Sequence, residues 1–265
     1  MYNPSLLKDK LFTIPIMEKE TDLTAAIILE ELKRCSNPEK QKILSRFFKT
    51  GKGEYGEGDL FLGITVPFIR KIAKQHSKEH VSLATIHTLL YSEWHDCRLC
   101  ALFLLIDRFK ESDAAEQKSI CEFYLQHTDR INNWDLVDLS APYLLGVYLL
   151  NHSREVLYRL ADSSSLWEQR IAIVSTLTLI RNNEFEDCTA VSERLLHHKH
   201  DLIHKAVGWM LREMGKRNKE LLVDFLRKHG SGMPRTMLRY AIEKLPEEER
   251  LYYLNSTRKK KQNSI

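Results

Sequence analysis

An all-α solenoid of stacked antiparallel helix pairs is the fold class that three features of this 265-residue sequence predict. Basic or aromatic-acidic clusters recur at Arg98, at Trp134 with Asp138, at Arg170, and at Lys205 with Trp209 and Arg212. Their spacing of about 36 residues marks stacked helical repeats. Only 10 glycines and 7 prolines punctuate the chain, too few for the frequent turns of a many-stranded β architecture. Hydrophobic residues make up 43%, enough for a continuous core. In a solenoid, equivalent positions of successive repeats line one face, so the clusters are expected to converge along one groove.

Residues 1–21 show no sustained period and read as an N-terminal arm or short helix. Regular pattern begins at Leu23, where Ala25, Ile28, Leu29, Leu32 and Cys35 make an apolar helical stripe. Asn37-Pro38 restarts the chain as an N-cap followed by a proline at the first helical position, for a helix to about Lys49. Gly51 to Asp59 then holds four glycines and breaks all periodicity, as a flexible loop does. From Val66 onward helices follow one another with short polar breaks, among them Ser112-Asp113, Asn132-Asn133 and Ser163 to Ser165. One of them is expected to run unbroken from residue 134 to 150. The repeat domain is taken as 22–255, and residues 256–265, with Arg258, Lys259, Lys260 and Lys261, as a disordered basic tail.

Composition narrows the classes. Charged residues at 29% and a net charge of +4 describe a mildly basic chain, and a weak global charge can hide a basic face. No apolar run reaches the roughly 20 residues of a membrane span, and the N-terminus lacks the order of a signal peptide, so a cytoplasmic location is expected. The cysteines, Cys35, Cys97, Cys100, Cys121 and Cys188, are odd in number. Cys97 and Cys100 form a CxxC inside an apolar helix and lack the second ligand pair of a structural zinc site. His197, His198 and His200 beside Lys199 sit between helical patterns and read as a polar loop. No metal and no cofactor is expected.

Trp134 and Asp138 lie one turn apart on one helical face, Lys205, Trp209 and Arg212 fall at i, i+4 and i+7, and Arg170 follows Trp167 by three residues. A stripe of cations and indoles is a poor core, because lysine and arginine are rarely buried unpaired. It suits a polyanion that carries flat rings. Other readings stand beside this one. Tryptophans at repeat positions also cement helices, Asp135 near a helix start meets the helix dipole, and protein-binding solenoids use similar concave faces.

The run Trp134-Asp135-Leu136-Val137-Asp138 with Pro142 and Leu145-Gly146, the segment Trp167-Glu168-Gln169-Arg170, and Lys205 through Glu213 together resemble the DNA alkylation repair glycosylases built of HEAT-like repeats. Asp59 through Ile64, with Pro67 and Arg70, is similar to that family's N-terminal signature, and the resemblance covers roughly residues 23–245. It implies a right-handed superhelix of helix pairs. It also implies a monomeric enzyme that hydrolyses the N-glycosidic bond of cationic N3- or N7-alkylated purines in double-stranded DNA. Asp138 would stabilise the positive charge developing on the deoxyribose and orient water, Trp134 and Trp209 would pack on the sugar, and Arg170, Lys205 and Arg212 would grip backbone phosphates. Two departures stand out. Phe47 occupies the place of a tyrosine and cannot donate a hydroxyl hydrogen bond, and Thr178 replaces a lysine. Related proteins keep the solenoid without excising bases, so a non-catalytic protein binding damaged or branched DNA is the alternative, and a protein-interaction solenoid a third reading.

Overall fold

A computed structural model describes residues 23–79 and 81–262; the arm expected over 1–21 lies outside them. The described residues are all-helical. They comprise α1 (Leu23–Arg34), α2 (Pro38–Phe47), α3 (Val66–His76), α4 (Leu83–Leu90), α5 (His95–Glu111), α6 (Ala114–Gln126), α7 (Trp134–Asp138) and α8 (Leu145–Tyr148). These are followed by α9 (Glu155–Ala161), α10 (Leu166–Arg181), α11 (Glu186–Arg194), α12 (Asp201–Arg217), α13 (Lys219–His229), α14 (Arg235–Ala241) and α15 (Glu247–Gln262). The β pairing among them is an isolated bridge between Leu60 and Trp94. None of these helices is long and apolar enough to cross a membrane.

Local signals set the helix starts. Asn37 accepts from the Lys40 amide at 3.0 Å ahead of Pro38, Asp113 accepts from Glu116 at 2.9 Å, and Ser82 and Ser165 cap α4 and α10 in the same way. Two expectations need correction. The single helix expected over 134–150 is two short ones, α7 and α8, separated by a turn through Pro142, whose ring and missing N–H cannot continue a helix. Ser140 Oγ turns back onto the Leu136 carbonyl there, and Thr178 Oγ1 donates to the Pro142 carbonyl at 2.6 Å. At the other end α15 continues to Gln262, so most of the segment taken for a disordered tail has helical backbone.

The helices pack in two rows. One runs α5, α7, α10, α12, α14, each against the next; α4, α6, α9, α11 and α13 flank it from behind. Apolar side chains from both rows merge into one continuous core, with Leu99, Leu102, Ile171, Val174, Val207 and Met210 all buried. The strand of chain that joins α2 to α3 is bound to the first row by polar groups. Asp96 on α5 accepts from the Leu62 and Ile64 amides at 2.7 and 2.9 Å, and the His95 amide donates to the Leu60 carbonyl at 2.8 Å.

A buried polar chain lies just beneath. His95 Nδ1 meets Asp59 at 3.2 Å and its Nε2 meets Asp135 at 2.9 Å, while Arg98 pairs with the other Asp59 oxygen. All four residues are less than 8% exposed. Burial would push the His95 imidazole down, but Asp135 and Asp59 outweigh it and hold the proton to about 9 against an ordinary 6.5. A group whose folded value is raised stabilises the fold fully below pH 6.5, and that stability is lost as pH rises through about 9. The span is on the order of 3 kcal/mol. Urea midpoints of the native chain should therefore fall relative to those of His95→Asn between pH 6.5 and 9. Parallel pH profiles for the two proteins would show that the imidazole carries no charge in the folded state.

Candidate active site

The polar chain under α5 also fixes the start of α7. Asn133, fully buried, donates to Asp59 Oδ2 at 3.0 Å and accepts the Trp134 amide on its own Oδ1 at 2.9 Å. Asp135 accepts the Leu136 amide at 2.9 Å with the oxygen that His95 leaves free. Trp134 is thus flanked by two residues that cannot rotate without breaking buried hydrogen bonds. Its ring stacks on Phe48 with centroids 5.2 Å apart and planes 16° from parallel, and meets Phe47 edge-on at 5.8 Å. Phe48 in turn stacks on Phe61 at 4.9 Å.

One helical turn further on, Asp138 projects toward α10. Arg170 forks onto it, Nε to Oδ1 at 2.9 Å and Nη2 to Oδ2 at 2.8 Å, and its remaining nitrogen Nη1 donates to the Leu202 carbonyl at 2.6 Å in the first turn of α12. One guanidinium therefore ties three successive helices of the first row. Arg170 is 4% exposed, and the Asp138 side chain retains 16%. Burial pushes the Asp138 carboxyl above its ordinary value, and the Arg170 charge and hydrogen bonds pull it back. The bidentate geometry is that of an arginine on an ionised carboxylate.

That residual exposure opens into a cleft of about 730 Å³ running across α7, α10 and α12. Trp134, Trp209 and Asp138 line it together, with Phe47 at one edge, 61% exposed. Five cations face it, Lys49, Arg170, Lys199, Lys205 and Arg212, against two carboxylates, Asp138 and Asp201. The rim cations have local partners: Lys205 pairs with Asp201 at 2.8 Å, and Arg212 with Glu213 at 3.3 Å and with Glu243. The Asp201 contact holds the Lys205 ammonium above its ordinary value and that carboxyl below its own. Such half-exposed pairs contribute little to stability and exchange readily for a more strongly charged partner.

The structure brings together Trp134, Asp138, Arg170, Lys205, Trp209, Arg212 and Phe47. It parts from the sequence reading at three places. Arg98 does not reach the groove; it lies 2% exposed, paired with Asp59. Arg170 is not a free surface cation but the clamp on the carboxylate. Asp135 serves His95 rather than a helix dipole alone. Cys97 and Cys100 are buried thiols, both pushed up by burial, Cys97 to about 12. In the histidine run, His198 accepts from the His200 amide and His200 lines the cleft, where burial lowers its pKa.

Tyr55, Lys49, Lys199 and Tyr240 also line the cleft and were not singled out by spacing. Tyr55 carries the one available signal, being the sole aromatic in the glycine-rich run from 51 to 59. Thr178, at the position noted for a missing lysine, is occupied with the turn between α7 and α8.

The chain matches the family described as "DNA alkylation repair enzyme" over residues 28–245. It has no match among curated proteins. A solved structure described as "Predicted DNA alkylation repair enzyme from Enterococcus faecalis" superposes with a TM-score of 0.63 at 18% sequence identity, covering 80% of this chain and 97% of that one. At that identity the likeness speaks for the fold, an all-helical repeat architecture. The match over most of the chain speaks for the lineage: this protein belongs to the DNA alkylation repair enzyme family.

Proposed function

We propose that the protein is a DNA glycosylase that hydrolyses the N-glycosidic bond of cationic N3- or N7-alkylated purines in duplex DNA. The observation that carries this reading is the Asp138 carboxylate, held by Arg170 in a cleft that it shares with two indoles and a surplus of cations. A carboxylate on a face built for polyanions costs affinity unless it serves the chemistry.

The reaction asks little more of the protein. Alkylation leaves the base positively charged, so the C1′–N bond breaks with its electron pair departing on the base, which leaves neutral and needs no proton. Charge develops on the sugar instead, where a preorganised carboxylate and the faces of two indoles stabilise it. Each carboxylate oxygen has two acceptor directions, and Arg170 takes one from each. The remaining pair is available to hydrogen-bond a water that adds to C1′ and passes its proton to the carboxylate, which returns it to solvent after release. Arg170 cannot give up its own proton and therefore keeps Asp138 anionic where burial alone would favour the neutral acid. Lys49, Lys199, Lys205 and Arg212 sit at the rim, where phosphates can replace the carboxylates now paired with the last two.

Purified protein should release 7-methylguanine from methylated duplex DNA, and Asp138→Asn should slow release by about 100-fold or more while binding holds. A native chain that binds duplex DNA and liberates no cationic purine would instead be a silent binder on the same scaffold. Arg212→Ala should weaken binding and make the salt dependence shallower by about 0.9 in log–log slope, one phosphate contact; an unchanged slope places that arginine off the backbone. Arg170→Ala should cost on the order of 3 kcal/mol in denaturant unfolding, because it strands a largely buried carboxylate. A loss no larger than that of Arg212→Ala would show that the fork does not join α7, α10 and α12 as described.

A further inference from the structure

His200 lines the cleft, yet no step above uses it. It stands at the N-cap of α12 with extended backbone, and its Nδ1 accepts the Leu202 amide at 3.1 Å. Its carbonyl accepts the Ile203 amide at 3.0 Å, so one residue satisfies two of the donors that a helix start leaves open. His200 is itself tied down. Its own amide donates to His198 Nδ1 at 2.9 Å, and His204, in the first turn of α12, hydrogen-bonds the His198 carbonyl. Serine, aspartate and asparagine, the usual caps, start α2, α4, α6, α7, α10 and α13 of this chain. At α12 an imidazole takes their place, and its ring also meets Tyr55 edge-on with centroids 6.4 Å apart.

The turn that this cap closes carries the reaction centre. Leu202 is engaged at both of its backbone groups, its amide by His200 Nδ1 and its carbonyl by Arg170 Nη1 at 2.6 Å. The other two arms of that guanidinium hold Asp138. Hydrogen bonds therefore run from the His200 ring through the Leu202 backbone and the Arg170 fork to both oxygens of the carboxylate. A helix start that loses its cap frays within the first turn. Fraying here would shift the Leu202 carbonyl, and with it the guanidinium that aims Asp138. Nδ1 can accept an amide only without its own proton, which leaves the ring neutral with its hydrogen on Nε2. Burial, which lowers the His200 pKa, favours that form.

We infer that His200 is a positioning residue of the reaction centre: by capping α12 on the Leu202 amide it holds the Leu202 carbonyl and, through the Arg170 fork, the aim of Asp138. The effect on rate rests on the glycosylase reading; the effect on the fork does not. Single-turnover release of 7-methylguanine from duplex DNA is measured at neutral pH for the native protein, His200→Ala, His200→Asn and Asp113→Ala. The last removes a cap from α6, in the flanking row, where Asp113 accepts the Glu116 amide at 2.9 Å. Thermal midpoint and the NMR signal of the Arg170 Nε–H, assigned through its own side-chain carbons, are recorded on the same samples. His200→Ala is expected to slow release about 2- to 30-fold, the worth of one N-cap, and to move the Arg170 signal. Asparagine caps as well as any residue, so His200→Asn should keep native rate and native signal. Asp113→Ala should lower the thermal midpoint as far as His200→Ala does while leaving rate and signal native. A native Arg170 signal or a native rate in His200→Ala overturns the inference. So does a His200→Asn protein as slow as His200→Ala, which would place the function in the ring and not in the cap, and so does an Asp113→Ala protein that is equally slow. If the native protein releases no base, the glycosylase reading falls, and the Arg170 signal of His200→Ala alone decides whether the cap holds the fork.

Discussion

The bidentate contact between Arg170 and Asp138 is the interaction on which the site depends. A carboxylate so deeply placed would turn neutral without a permanent positive neighbour, and a guanidinium so deeply placed needs an anion. Each makes the other's burial tolerable. The third arm of the same guanidinium, on the Leu202 carbonyl, extends the pair into the start of α12. Electrostatics and architecture therefore meet in one side chain, which sets where Asp138 points, which protonation state it holds, and how three helices of the first row lie against one another.

A second buried assembly supports this one from behind. Asp59, His95, Arg98, Asn133 and Asp135 leave few ways to begin α7 other than the one observed, since Asn133 and Asp135 each serve α7 backbone and the polar chain at once. Trp134 sits between them and Asp138 one turn on. The short helix is hardly longer than a single turn and would not hold its shape alone. Its stability is borrowed from the network, and so is the aim of the indole and of the carboxylate. Rigid support behind a solvent-open cleft is what electrostatic preorganisation requires.

How far the sequence foretold this follows from what each residue uses as a signal. The 36-residue recurrence of Trp134, Arg170 and Lys205 is a one-dimensional trace of helices stacked in a row, so the row and its groove were legible. So were Asn37, Asp113 and Ser165, because capping is local. Arg98 shares the recurrence but faces inward, and periodicity does not distinguish the two sides of a central helix that is buried all round. Arg170 was legible as a member of the cleft but not as the clamp, because its partners, Asp138 and Leu202, each lie 32 residues away. Tyr55 enters the cleft by a turn of chain that has no period. The break at Pro142 is masked in the sequence by the apolar residues on either side of it.

The most direct test of the account is the pH dependence of single-turnover base release by the native protein. The Asp138 anion should supply a single acid limb, with its midpoint above the ordinary carboxylate value of 3.8 because burial raises it and Arg170 only partly compensates. Release should fall as pH drops through that point and be level at neutral pH. Release that stays constant as pH falls well below 3.8 would contradict the assignment of Asp138 as the group that stabilises the sugar.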